Sequence, residues 1–247
     1  MSKTVCITGG SRGIGRDLAV AFAGAGYRVF AGARNESGIE AAADGIRFVQ
    51  MDARHDGDHA ALVGAALQAT GRLDCYINNA GVSAWRPITE IDEAFLEDML
   101  ATNIKSAFWG SKQAALALEP GGTIINISSL AAKRGTPNNS AYCAAKFGMT
   151  GLTQALAKEL GPRGIRVNAI CPVLVRTPGL VDALSDPSSP AKGDPDGFLA
   201  AFTASQSPLG RLPTGAEVAG MALYLDSSAA SAVTGQSINV DCGVLPQ

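Results

Sequence analysis

Short apolar runs alternate along this chain with longer segments of mixed polarity. Val5-Cys6-Ile7-Thr8, Arg28-Val29-Phe30-Ala31, Ile46-Arg47-Phe48-Val49 and Leu73-Asp74-Cys75-Tyr76-Ile77 read as strands, and residues 123–127, 165–170 and 237–240 continue the series. Between them the pattern predicts helices over 14–25, 57–69, 90–118, 140–160 and 214–226. Strand and helix in alternation mean βαβ units, hence a parallel sheet with helices on both faces. The strands are apolar almost without interruption, as a sheet buried on both sides requires. The predicted fold is therefore α/β, a doubly wound parallel sheet of about seven strands, in one domain over residues 1–247. Residues 182–197 break the rhythm with Pro, Gly, Ser and Asp, a composition that opposes regular structure. A loop of this length inside a compact domain is usually functional, so a substrate lid is expected over about 178–208.

The totals narrow the function. Twenty Lys and Arg against 22 Asp and Glu leave a formal charge of −2, so there is no basic field for nucleic acid or an anionic membrane. No apolar run reaches 18 residues, and the first residues turn to glycine too soon for a secretory signal. Cys6, Cys75, Cys143, Cys171 and Cys242 are odd in number and widely spaced, which argues against a disulfide framework. His55 and His59, four apart, are expected on a solvated first turn beside Asp56 and Asp58. The chain reads as reduced, metal-free and cytoplasmic.

The first strand runs into Thr8-Gly9-Gly10-Ser11-Arg12-Gly13-Ile14-Gly15, where a helix opens. Glycines at such a turn let backbone approach a ligand closely, and a helix N-terminus offers free N–H groups to a pyrophosphate. Gly9, Ser11, Arg12, Gly13, Ile14 and Gly15 are the candidate contacts. The second strand ends Ala31-Gly32-Ala33-Arg34-Asn35-Glu36, with Arg34 where an NAD-binding chain would carry a carboxylate. Arg12 and Arg34 together predict NADP(H) in preference to NAD(H). After the third strand, Asp52 is placed to accept a hydrogen bond from an adenine amino group, with Ala53 beside it; a helix N-cap is the other reading of Asp52.

Tyr142 and Lys146 lie four residues apart in a helical segment, on one face. A neighbouring ammonium favours a phenolate and is expected to lower a tyrosine pKa that is ordinarily about 10. A tyrosine so tuned exchanges a proton with a substrate oxygen.

With these residues in view, the chain resembles the short-chain dehydrogenase/reductase superfamily over nearly its whole length, with a 3-oxoacyl reductase-like pattern. Thr8-Gly9-x-x-x-Gly13-x-Gly15 matches the family's cofactor loop. Asn78-Asn79-Ala80-Gly81 matches its sheet-stabilising motif, and Asn103, Ser129, Tyr142 and Lys146 match its catalytic tetrad. The resemblance implies a Rossmann-like fold, a nicotinamide cofactor and a homotetramer or homodimer. It also implies cofactor contacts from Asn79, Ala80, Gly81, Pro172, Val175 and Thr177, with Lys146 on the nicotinamide ribose. It gives Ser129, in preference to Ser128, a hydrogen bond to the substrate oxygen. It assigns Asn103 a water that connects Lys146 to solvent; the alternative for Asn103 is a polar residue that kinks its helix. Where the family usually carries glycine after Pro172, this chain has Val173, which adds a branched side chain near the nicotinamide.

The substrate pocket is expected beyond the carboxyl ends of the strands, at Trp85, Leu130, Asn138, Val173 and Leu174. A small-molecule ketone or alcohol is the leading substrate class. A 3-oxoacyl chain on acyl carrier protein stands second: docking an acidic carrier needs basic surface, for which Arg163 could serve, but Leu118-Glu119-Pro120-Gly121-Gly122 is short and acidic where such reductases tend to carry arginine. A non-catalytic NADP(H) sensor or scaffold is the alternative of another class; retention of all four tetrad residues speaks for the enzyme.

Overall fold

The computed structural model describes residues 2–246. Seven strands form one sheet, all parallel, in the order β3-β2-β1-β4-β5-β6-β7. They are β1 Thr4–Thr8, β2 Arg28–Ala33, β3 Ile46–Gln50, β4 Cys75–Asn78, β5 Thr123–Ile127, β6 Arg166–Pro172 and β7 Ser237–Val240. The helices are α1 Gly13–Gly24, α2 Asp56–Thr70, α3 Glu93–Leu100, α4 Ser106–Ala117, α5 Ser140–Leu160, α6 Pro178–Leu184, α7 Pro195–Gln206 and α8 Gly215–Asp226.

Alternate strand residues feed two separate cores. Val5 and Ile7, Val29 and Ala31, Cys75 and Ile77, and Ile125 and Ile127 face α1 and α8. Cys6, Phe30, Tyr76, Ile124 and Val167 face α2, α4 and α5. Burial on both sides explains why the strands show no polar alternation. The strand order reverses between β1 and β4, which opens a crevice at their carboxyl ends.

Two elements depart from the sequence pattern. The expected helix over 90–118 is broken at Ala101–Lys105, where the backbone widens into a π turn around Asn103. The expected irregular stretch over 182–197 is partly helical, because α6 runs to Leu184 and α7 starts at Pro195. Asp194 caps α7 through the Gly197 N–H, and Pro195 sits at its first position, where a missing N–H costs nothing. That signal lay inside a composition that otherwise spells loop. All five cysteines are free thiols; Cys6, Cys75, Cys143 and Cys171 are buried, while Cys242 is partly exposed.

Candidate active site at the carboxyl edge of the sheet

The crevice begins with the glycine loop. Gly9 and Gly13 have φ of +64° and +54°, which side chains rarely tolerate. A Cβ at Gly15 would overlap the Gly9 carbonyl, so α1 can start close under the loop only with glycine there. The first turn of α1 has no side-chain cap, since Arg12 at the N-cap makes no such bond. Its N–H groups therefore remain for a ligand. Thr8 and Asn79 fix the loop to the end of β4. Thr8 Oγ1 accepts from the Asn79 and Ala80 N–H groups, each at 3.0 Å, and Asn79 Nδ2 donates to the carbonyls of Thr8 and Gly9 at 2.9 and 3.2 Å. Asn78 works inside the sheet, donating to Asn126 and Ser111.

Opposite the loop, Pro172 ends β6 and Val175 is buried. Thr177 caps α6 and faces Gly13, where an added Cβ would lie 3.4 Å away. Two segments far apart in sequence, 9–15 and 172–177, thus enclose one gap. Ser11 is buried in the loop and Ile14 packs into the core. Arg12 and Arg34 are exposed beside the crevice, and neither forms an ion pair among the described residues.

Asp52 is no helix N-cap; that place belongs to His55. The Asp52 carboxylate takes hydrogen bonds from the Arg54 side chain and main chain, which hold its pKa down at about 2. Arg54 also reaches Asp98 at 3.1 Å. His59 departs from expectation most. It is fully buried, not solvated, with its ring nitrogens on the Tyr76 hydroxyl and the Ala53 carbonyl.

The tetrad residues converge on the other side of β4. Ser129, after β5, lies beside Tyr142 on α5, and its Oγ accepts from the Ala131 N–H at 3.1 Å, whereas the buried Ser128 hydroxyl has no hydrogen-bond partner among the described residues. Lys146 is buried and donates to the Ile127 carbonyl at 3.0 Å, with its Nζ 5.5 Å from the Tyr142 ring centre. Asn103 Oδ1 accepts from the Val82 N–H at 3.1 Å and its Nδ2 donates to the Met99 carbonyl at 3.0 Å. A Cβ on Gly81 would come within 2.9 Å of Asn103 Oδ1 and 3.7 Å of Lys146 Nζ, so glycine is required where these groups meet.

The electrostatics correct one expectation. Tyr142 is not shifted downward; burial pushes its pKa up to about 12, only partly offset by the neighbouring Ser129 hydroxyl. Lys146 absorbs the cost instead, its pKa lowered to about 8 by burial. Removing both side chains from water outweighs their mutual attraction at this separation. The Asn103 carboxamide makes one bond at each end within the protein and anchors the turn at Val82, as its helix-kinking alternative expects.

The expected substrate residues divide. Leu130, Val173 and Leu174 pack together with Cys171, Val244, Phe202, Leu212 and Leu245 in an uncharged cluster beyond β6. Trp85 is buried against Leu184, Ala191 and Leu199, and Asn138 Nδ2 donates to the Ser188 carbonyl at 3.3 Å. Trp85 and Asn138 therefore grip residues 184–199. A cavity of about 600 Å³ lies nearby, lined by Asp17, Val175, Arg176, Leu199, Thr203 and Leu212. It reaches neither Ser129 nor Tyr142, and Arg176 there is paired with Asp196. Titratable and hydrogen-bonding side chains converge instead at Asn103, Ser129, Tyr142 and Lys146.

Comparison with known proteins agrees with this geometry. A family model described as enoyl-(acyl carrier protein) reductase matches residues 9–245. L-2,3-butanediol dehydrogenase of Corynebacterium glutamicum is 34% identical, over 99% of each chain. A 3-oxoacyl-(acyl carrier protein) reductase of Staphylococcus aureus is 33% identical, over 99% of this chain and 98% of its own. The chain belongs to the short-chain dehydrogenase/reductase superfamily. Among solved structures, an actinorhodin polyketide ketoreductase variant with NADPH superposes on this reductase with a TM-score of 0.90 at 33% identity, covering 98% of this chain and 97% of that one. As a superfamily member the protein is an oxidoreductase acting on CH–OH and carbonyl groups.

Proposed function

We propose that the protein interconverts a small-molecule ketone or aldehyde and its alcohol with NADP(H), using Tyr142 as general acid and base. The observation that carries this reading is the convergence of Ser129, Tyr142 and the buried Lys146, whose Nζ lies 5.5 Å from the Tyr142 ring centre, with the glycine loop across the crevice. Tyr142 is protonated near neutral pH and so is poised to donate to a carbonyl oxygen as that oxygen gains negative charge. Ser129 hydrogen-bonds the same oxygen, and the Lys146 ammonium stabilises the phenolate left behind.

The residues present fit a dinucleotide. The uncapped start of α1 and the glycine loop form a cradle for a pyrophosphate, and Arg12 and Arg34 stand ready for a 2′-phosphate. Bound there, the cofactor supplies the hydride. Tyr142→Phe should lower kcat by about 100-fold or more while NADPH affinity is kept; turnover close to wild type would refute the assignment of Tyr142. Comparison of kcat/KM for the two cofactors should favour NADPH, and a preference for NADH would refute the roles given to Arg12 and Arg34.

An acyl thioester on a carrier protein is the second reading, favoured by the similarity to the staphylococcal reductase. Against it, Arg163 is engaged with the Leu118 carbonyl. Following NADPH absorbance with cyclic ketones, keto acids, sugars and acyl thioesters separates the two.

A further inference from the structure

The buried pair His59–Tyr76 is not needed for the proton chemistry, and its surroundings make it costly. Met51, Leu62, Val63, Ala66, Cys6 and Phe30 share its layer. Two apolar side chains would fill the same space without burying polar groups. Tyr76 also imposes a demand on α4, since a Cβ on Gly110 would come within 2.8 Å of its ring.

The hydrogen bonds fix the roles. The Ala53 carbonyl, 2.8 Å from His59 Nε2, can only accept, so Nε2 carries the proton. Nδ1 is then an acceptor for the Tyr76 hydroxyl at 2.6 Å. The imidazole is neutral with both nitrogens satisfied, and burial lowers its pKa despite Asp56 and Asp58 nearby. One residue earlier, Asp58 accepts from the Asp52 N–H at 2.7 Å. The first turn of α2 therefore holds residues 52–53 at two main-chain points.

The consequence lies on the far side of one peptide plane. A trans peptide points its C=O and N–H in opposite directions. With the Ala53 carbonyl turned inward to His59, the Arg54 N–H turns outward, where it donates to Asp52 Oδ1 at 3.0 Å. Asp52, the candidate adenine acceptor, is thereby tied from inside the protein, alongside the Arg54 side chain, which donates to both of its carboxylate oxygens.

We infer that His59, locked by Tyr76, is a positioning residue that aims Asp52 at the adenine end of the cofactor; this rests on the dinucleotide reading above. The test is titration of intrinsic fluorescence with NADPH and with reduced nicotinamide mononucleotide, which lacks the adenine. Wild type, His59→Leu, His59→Gln and Tyr76→Phe are compared, each checked for fold by circular dichroism. If wild type does not bind NADPH, the dinucleotide reading itself fails. If it binds, His59→Leu should weaken NADPH about five- to tenfold, the worth of about one hydrogen bond, with mononucleotide affinity unchanged. His59→Gln, which keeps an N–H for Ala53, should recover most of the loss. KM for NADPH should rise while kcat at saturation holds. Should His59→Leu fail to fold, the near-isosteric Tyr76→Phe carries the test, with a two- to threefold loss expected in order of magnitude. NADPH affinity equal to wild type in the folded variants overturns the inference. Equal loss for both ligands also overturns it, because that marks general destabilisation.

Discussion

Lys146 shows what the site costs. Its pKa falls from 10.5 to about 8 because it is buried, a difference worth about 3 kcal/mol at neutral pH. The sign follows from proton counting. The unfolded chain binds this proton more tightly, so between about pH 8 and 10.5 the residue makes stability rise with pH. Below pH 8 the penalty is constant. Lys146→Met should therefore raise Tm by a few degrees in a thermal melt at pH 7, while abolishing turnover. The same value sets a catalytic limb. As Lys146 loses its proton the phenolate loses support, so kcat/KM for reduction should fall as pH rises through about 8. That Asn103, Ser129, Tyr142 and Lys146 come together was anticipated through the family resemblance. The direction of the Tyr142 shift was not, since it depends on burial, which spacing does not reveal.

Among the elements, strands read most faithfully. The ranges 123–127 and 237–240 match β5 and β7 because unbroken apolar runs have few alternatives in a chain of this kind. Helices were read well except where a local backbone choice intervened. The helix-kinking role weighed for Asn103 matches the π turn at Ala101–Lys105, where its side chain reaches across to Val82. His59 was misread because Asp56 and Asp58 flank it, and charged neighbours suggest solvent. Its partner Tyr76 lies 17 residues away on β4. Packing of α4 on β4 depends on Gly110, where a Cβ would run into Asn78 Oδ1 and crowd Tyr76. Gly110→Ala should destabilise by about 1–3 kcal/mol, read as a lower urea midpoint.

At the scale of the molecule, stability and chemistry occupy opposite ends of the sheet. The glycine loop, the Ser129–Tyr142–Lys146 group and residues 178–208 gather beyond the carboxyl ends of the strands. Near the other end, Asp226 is buried and accepts from Lys3 at 2.9 Å and from the Tyr27 hydroxyl at 2.6 Å. These bonds tie the start of β1 and the turn into β2 to the end of α8. Tyr27→Phe should cost about 1.5–2 kcal/mol, seen in the thermal melt, and leave kcat unchanged. The sheet order followed from βαβ alternation, whereas this cluster joins residues more than 190 positions apart and left no trace in local pattern.

The distribution of thiols has a practical corollary. Four are sealed in the interior, and Cys242 is partly exposed, with its carbonyl accepting from the Leu209 N–H just past α7. Brief maleimide treatment should attach a single dye there without engineering the chain. Its emission would then report, in real time, whether the end of α7 changes its surroundings as ligands come and go.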